Sequence, residues 1–161
     1  MDGDTQAFSV RPATQDDVAK LLQIEARIQV APWTRENIEI ELSKPYSSFL
    51  VYTDDETDSE IAGYIVYWMM FDECQILTLG VDISYRGIGV AQKLVRQAVQ
   101  QAVAKNVKKV LLDVRKSNLA AIQLYQKLGF VIIHVRKSFY SNGEDAYQMA
   151  LYADVAAPTE F

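Results

Sequence analysis

Cysteine and histidine each occur once, as Cys74 and His134. One thiol cannot build a disulfide framework, and one thiol with one imidazole leaves no Cys/His set for a metal, so none is expected. Basic residues are also scarce: 16 Lys and Arg stand against 21 Asp and Glu, a formal charge of −5. A nucleic-acid binder needs a basic surplus to displace phosphate counterions, which argues against a nucleic-acid partner. No apolar run approaches the roughly 20 residues of a membrane span, and no membrane partner is expected. The start Met1-Asp2-Gly3-Asp4 is acidic, unlike a signal or transit peptide, which makes a cytoplasmic location the default. Repeats, low-complexity tracts and Pro/Gly/Ser-rich linkers are missing too. The 161 residues are therefore expected to form one domain over residues 1–152, with a frayed tail over 153–161. Nothing in the sequence specifies an oligomeric state.

What is present is an ordered alternation of periods. Phe8 to Arg11 alternates like a strand closed by Pro12. Thr14 offers an N-cap with Asp17 three residues on, and Val18, Leu21, Leu22 and Ile28 mark a helical face. Pro32-Trp33 breaks that helix, and Thr34 caps another through Ile38 and Leu42. Ser48–Thr53, Ile61–Met70 and Cys74–Ile83 read as a three-strand meander, with an acidic turn over residues 54–59. From Gly87 the period lengthens to that of a helix carrying Ala91, Leu94, Val95, Ala98 and Ala102, with an end near Asn106. Val107–Arg115 is a strand, and Ser117 or Asn118 caps a helix that Gly129 stops. Phe130–Val135 and Ala146–Tyr152 make a last strand pair. The crossover helix before Val107 suits parallel pairing, whereas the meander is antiparallel, so a mixed α/β sheet is expected.

Two stretches carry chemistry. In Val81-Asp82-Ile83-Ser84-Tyr85-Arg86-Gly87-Ile88-Gly89-Val90-Ala91 a strand runs into a helix through two glycines. A helix N-terminus presents unpaired N–H groups and partial positive charge, a natural cradle for phosphate or pyrophosphate. The stretch is neither a Walker loop, lacking Gly-Lys-Ser/Thr, nor a dinucleotide fingerprint, since Gln92 stands where a third glycine would be. A tight turn with no ligand remains the plain alternative. In the second stretch, Asp113 lies near a strand's C-terminal end, on the opposite face from Leu112 and Val114. There it can meet a ligand in a sheet crevice, or simply pair with Arg115 on its own face. Tyr125 falls in an apolar helical stripe, where packing is its default role.

Arg86-x-x-Gly89-x-Ala91, followed by Ser117-Asn118, Ala121-Ile122, Leu124-Tyr125 and Leu128-Gly129-Phe130, resembles the two signatures of the GNAT N-acetyltransferases. Pro32-Trp33, Phe139-Tyr140, Gly143-Glu144-Asp145-Ala146 and Met149-Ala150-Leu151 resemble its RimI-like branch, which acetylates protein N-termini, in bacteria typically a ribosomal protein beginning with alanine. The likeness runs over residues 8 to 152. It implies a mixed central sheet of about seven strands flanked by about four helices, an α/β fold that some schemes class as α+β. It implies acetyl-CoA as donor and CoA as product. Leu79, Gly80 and Val81 would hold the pantetheine and the acetyl carbonyl. Arg86, Gly87, Ile88, Gly89, Val90, Ala91 and Gln92 would cradle the pyrophosphate, and Asn118 would contact the cofactor arm. Tyr125 would protonate the leaving thiolate. Trp33 and Tyr140 would line the acceptor side, where a protein or peptide N-terminus would bind. Asp113 stands where RimI-like enzymes usually carry a glutamate base and is one methylene shorter, so a water relay, or the rival base Glu73, enters as an alternative. Cys74 and His134 read as sheet residues.

The acceptor chemistry is consistent with this. An α-amine titrates near about 8 and lysine near about 10.4, so at neutral pH a modest base suffices for an N-terminal amine. Two other readings accompany it: transfer to a small amine or lysine on the same fold, and an acyl-CoA-binding module without turnover.

Overall fold

These periodic segments could pair in many ways; the computed structural model, which describes residues 8–57 and 60–153, selects one. Phe8–Pro12 forms β1, followed by a 3₁₀ turn at Gln15–Asp17, α1 (Val18–Ile28) and α2 (Arg35–Ser43). β2 (Ser47–Asp54), β3 (Glu60–Met70) and β4 (Glu73–Val81) come next, then a 3₁₀ turn at Ile83–Tyr85 and α3 (Val90–Ala104). β5 (Lys109–Arg115), α4 (Leu119–Lys127), β6 (Val131–Arg136) and β7 (Ala146–Tyr152) complete the order. Among the described residues these strands form a seven-stranded sheet in the order β1-β2-β3-β4-β5-β7-β6.

The pairings follow the expected mixture. β1 runs antiparallel to β2, from Phe8 opposite Asp54 to Pro12 opposite Leu50, and Phe8 stacks on Tyr52 at 4.9 Å. β4 and β5 are parallel, from Glu73 opposite Lys109 to Ile76 opposite Leu112. β7 lies between β5 and β6, antiparallel to both, so the last two strands form a hairpin whose second strand sits inside the sheet. β7 is the more buried of the two, with Ala146, Met149, Ala150 and Leu151 in the core, whereas β6 exposes Val131 to Val135 at the edge.

Several boundaries shift from the sequence reading, and two of the shifts have a clear local reason. The strand expected to reach Ile83 ends at Val81, because Asp82 accepts the Ile83 N–H at 2.8 Å and the Tyr85 N–H at 2.9 Å and turns the chain. The helix expected from Gly87 starts at Val90, because Gly87 and Gly89 are left-handed, at φ 83 and 87. β5 starts at Lys109 rather than Val107. The acidic turn runs partly outside the described residues, at Asp58 and Ser59, as does the tail expected to fray, from Asp154 onward.

The chain divides into two compact units, one of residues up to Tyr67 with Thr78–Val95, the other of Trp68–Leu77 with the residues from Arg96 on. In the first, α1 buries Val18, Leu21 and Ile24. In the second, β5 buries Val110, Leu111, Leu112 and Val114. No helix among the described residues is long and apolar enough to cross a membrane.

Candidate active site

In the first unit, the end of β4 delivers two main-chain groups away from β3. The Asp82 N–H returns to Ala62 O of β3 at 2.9 Å, so by strand alternation Leu79 and Val81 turn their N–H and C=O groups the other way. The two carbonyls on that side already have donors: Gln29 Nε2 reaches Leu79 O at 3.3 Å, and Arg86 Nε reaches Val81 O at 3.4 Å. That leaves N–H groups as what this edge offers an incoming carbonyl. Between Leu79 and Val81, a Cβ on Gly80 would fall 2.4 Å from the Tyr64 ring, so this position needs glycine for close packing.

The chain then enters α3. Lys93 N–H donates to Gly89 O at 3.1 Å, the helix's first turn bond, so the N–H groups of Val90, Ala91 and Gln92 have no acceptor inside the helix. A Cβ at Gly87 or Gly89 would meet nothing within 4 Å. Their necessity is therefore conformational, not a matter of room, and the space beside the helix N-terminus is open. Open space, three spare N–H donors and an exposed Arg86 fit a pyrophosphate. Trp33, half-buried, donates its N–H to Glu25 Oε1 at 2.7 Å and packs edge-on against Phe49 at 6.5 Å.

In the second unit, Asp113 has its carboxylate bound by Arg136 Nε at 2.9 Å, not by Arg115 as its own face suggested. Register explains this. Arg115 and Arg136 both lie opposite Ala146 of β7, one on each side, and so small a residue lets Arg136 reach toward β5. Arg115 turns instead to Glu144, 3.2 Å away, with its guanidinium 3.8 Å from the centre of the Tyr140 ring. Glu144 also accepts the Ser117 N–H at 2.8 Å, and hydrogen bonding from Ser117, its side chain first and then its N–H, holds the carboxyl below the usual carboxylate range, with a smaller pull from Arg115. Burial, with Asp113 nearby, raises the Tyr140 phenol. Burial likewise raises the Tyr125 phenol, with a smaller push from Tyr140, and its ring meets Phe130 at 5.7 Å. A phenol so shifted keeps its proton at neutral pH and is available as a donor. Asn118 caps α4, its Oδ1 accepting the Ala121 N–H at 3.2 Å, which leaves its amide nitrogen to donate elsewhere.

Glu73 stands apart from this group. It begins β4 in register with Lys109, which binds it at 3.1 Å, and its side chain is 47% exposed. Asp113 lies four positions further along β5 from that pairing, a rise of about 13 Å. Cys74 is fully buried and its thiol is pushed up to about 12 by burial, which leaves it inert, and His134 is an exposed residue opposite Gln148. The sequence reading missed Arg136 and the buried Glu25. Glu25 had a signal: it interrupts the apolar face of α1 marked by Val18, Leu21 and Ile28, and a carboxylate on such a face needs dedicated donors. Arg136 had none, since its contact depends on strand order.

The comparisons name the class of protein. The acetyltransferase (GNAT) family profile matches residues 18–130, and the chain belongs to that family. It is an acetyl-CoA-dependent N-acetyltransferase with the mixed seven-stranded sheet expected of the fold. A Bacillus subtilis protein, named as a candidate [ribosomal protein bS18]-alanine N-acetyltransferase, is 36% identical over 143 residues, 88% of this chain and 93% of its own. N-alpha-acetyltransferase RimI of Mycobacterium tuberculosis is 29% identical over 92% of this chain and 95% of its own. Among solved structures, the ribosomal-protein-S18-alanine N-acetyltransferase of Escherichia coli superposes with a TM-score of 0.82 at 26% identity, covering 91% of this chain and 94% of that one.

Proposed function

We propose that the chain transfers the acetyl group of acetyl-CoA to the N-terminal α-amine of a protein, with an alanine-initiated ribosomal protein as the first candidate acceptor. The observation that carries the reading is the end of β4: main-chain groups turned away from β3, then two left-handed glycines, then a helix N-terminus with spare N–H groups. The names of the relatives support an α-amine as acceptor. Acetyl-CoA supplies the acetyl group as a thioester. Leu79 to Val81 hold it along the strand edge, and the Val81 N–H stabilises negative charge on the carbonyl oxygen during attack. Gly87 to Gln92 take the pyrophosphate through main-chain N–H groups, with Arg86 adding charge and Asn118 contacting the arm. Asp113, held in place by Arg136, removes the amine proton directly or through one water, and Tyr125 returns a proton to the leaving thiolate. Trp33 and Tyr140 line the acceptor side. The enzyme works in the cytoplasm on this reading, where ribosomal proteins are made. Residues 1–152 act as one catalytic domain.

The test is a peptide panel. An alanine-initiated peptide with a free α-amine should be acetylated fastest, and the same peptide N-blocked but carrying lysine should react little. Faster acetylation of the blocked lysine peptide would refute the assignment and favour the lysine or small-amine reading.

A further inference from the structure

A buried polar chain in the first unit takes no part in the steps above. Glu25 is 2% exposed on the apolar face of α1. A carboxylate in such surroundings needs donors, and two meet it: the Trp33 N–H at Oε1, 2.7 Å away, and the Tyr64 O–H at Oε2. Tyr64 is 1% exposed, and burial, then the neighbouring Glu25, raises its phenol above the ordinary value, so it keeps its proton. The direction of each bond then follows. The Tyr64 O–H donates to Glu25, and its oxygen accepts from Gln29 Nε2 at 3.2 Å. Gln29 must therefore present its nitrogen, whose other hydrogen goes to Leu79 O at 3.3 Å. The Tyr64 ring is itself fixed by its packing on Gly80.

We infer that Gln29, braced by Tyr64 and Glu25, is a positioning residue for the transfer: one hydrogen-bond chain ties the main chain at Trp33 to the main chain at Leu79. Trp33 belongs to the segment that follows α1, and Leu79 to the strand end that holds the thioester. The chain thus sets the spacing between the acceptor segment and the acetyl-holding strand. This rests on the reading proposed above, in which those two segments serve acceptor and donor. Neither Gln29 nor Tyr64 need touch a substrate to do this.

The experiment compares Gln29→Leu, Tyr64→Phe and the double variant with wild type, as full chains, on the alanine-initiated peptide. Misplacing a reacting group by a fraction of a side chain costs rate rather than affinity, so each single variant should lose about 10- to 100-fold in kcat, with peptide KM and acetyl-CoA Kd within about threefold. Both substitutions break the same chain, so the double variant should be no slower than the slower single one. Unchanged kcat in both single variants, or losses that multiply in the double, overturns the inference. Should Gln29→Leu fail to fold, Tyr64→Phe decides alone, because it keeps the ring on Gly80 and removes only the hydroxyl. A wild-type chain that leaves free α-amines unmodified sinks the underlying reading and the inference with it. An active wild type beside equally active variants sinks the inference only.

Discussion

The turn into α3 and the cluster around Asp113 are built on different principles. The turn is made of main-chain groups: N–H donors at the start of a helix, and two glycines whose positive φ other residues rarely adopt. Apart from the charge of Arg86 it is main chain that faces a ligand here, and the space around both glycines is open. The Asp113 cluster is made of side chains from β5, β6 and the segment before β7, joined as ion pairs and a cation over a ring. The first region tolerates many sequences with the same backbone, and the second depends on which strands are neighbours. Binding should thus be sensitive to backbone changes at the turn, and turnover to charge changes in the cluster.

The largest effect that would sharpen this contrast is on turnover. Asp113→Asn should lose about 10²- to 10⁴-fold in kcat while keeping acetyl-CoA affinity, as measured by initial rates and calorimetry. Tyr125→Phe should fall within the same range with its ring packing kept, so a normal rate in either variant breaks the assignment. Glu73→Gln, at the other end of the parallel strand pair, should stay near the wild-type rate. Loss of activity there, beside a working Asp113→Asn, would move the base to β4.

Next in size is binding at the turn. Acetyl-CoA at 100 times its Kd should stabilise the chain by about 2.7 kcal/mol, seen as a raised Tm. Gly89→Val places a β-branched residue at φ 87, which should cost about 1–3 kcal/mol in strain and lower Tm without ligand. It should also shrink the acetyl-CoA-dependent Tm shift, whereas Asp113→Asn should leave that shift intact. A Gly89→Val chain that retains the full shift would remove the pyrophosphate from this turn.

The smallest effect concerns acid stability. The Glu144 carboxyl has a lowered folded pKa, so its contribution is fully present above the ordinary carboxyl value near about 4.3 and is lost as pH falls through the lowered one. The Tm gap between wild type and Glu144→Gln should be open at pH 7 and close at the acid end of a pH series. A gap that widened on acidification would contradict the bonds to Ser117 and Arg115.

Much of this molecule could be read before it was folded, and the division has a physical cause. The strand and helix periods, the Thr34 cap, the left-handed Gly87 and Gly129 and the parallel β4–β5 crossover depend on residues close in the chain, whose preferences act locally. The family signature was legible for the same reason, since its residues make one strand-to-helix turn and one capped helix. Other features were settled only by the tertiary structure. Asp113 took Arg136 because β7 lies between β5 and β6 and presents Ala146 between the two arginines. Register set Glu73 against Lys109, four positions along β5 from Asp113. Glu25, Tyr64, Gln29 and Leu79, scattered over 55 positions, became one hydrogen-bond chain because burial forced every polar group among them to find a partner. Local preference travels a few residues along the chain, whereas an ion pair or a buried hydrogen bond belongs to whichever strands and helices packing brings together.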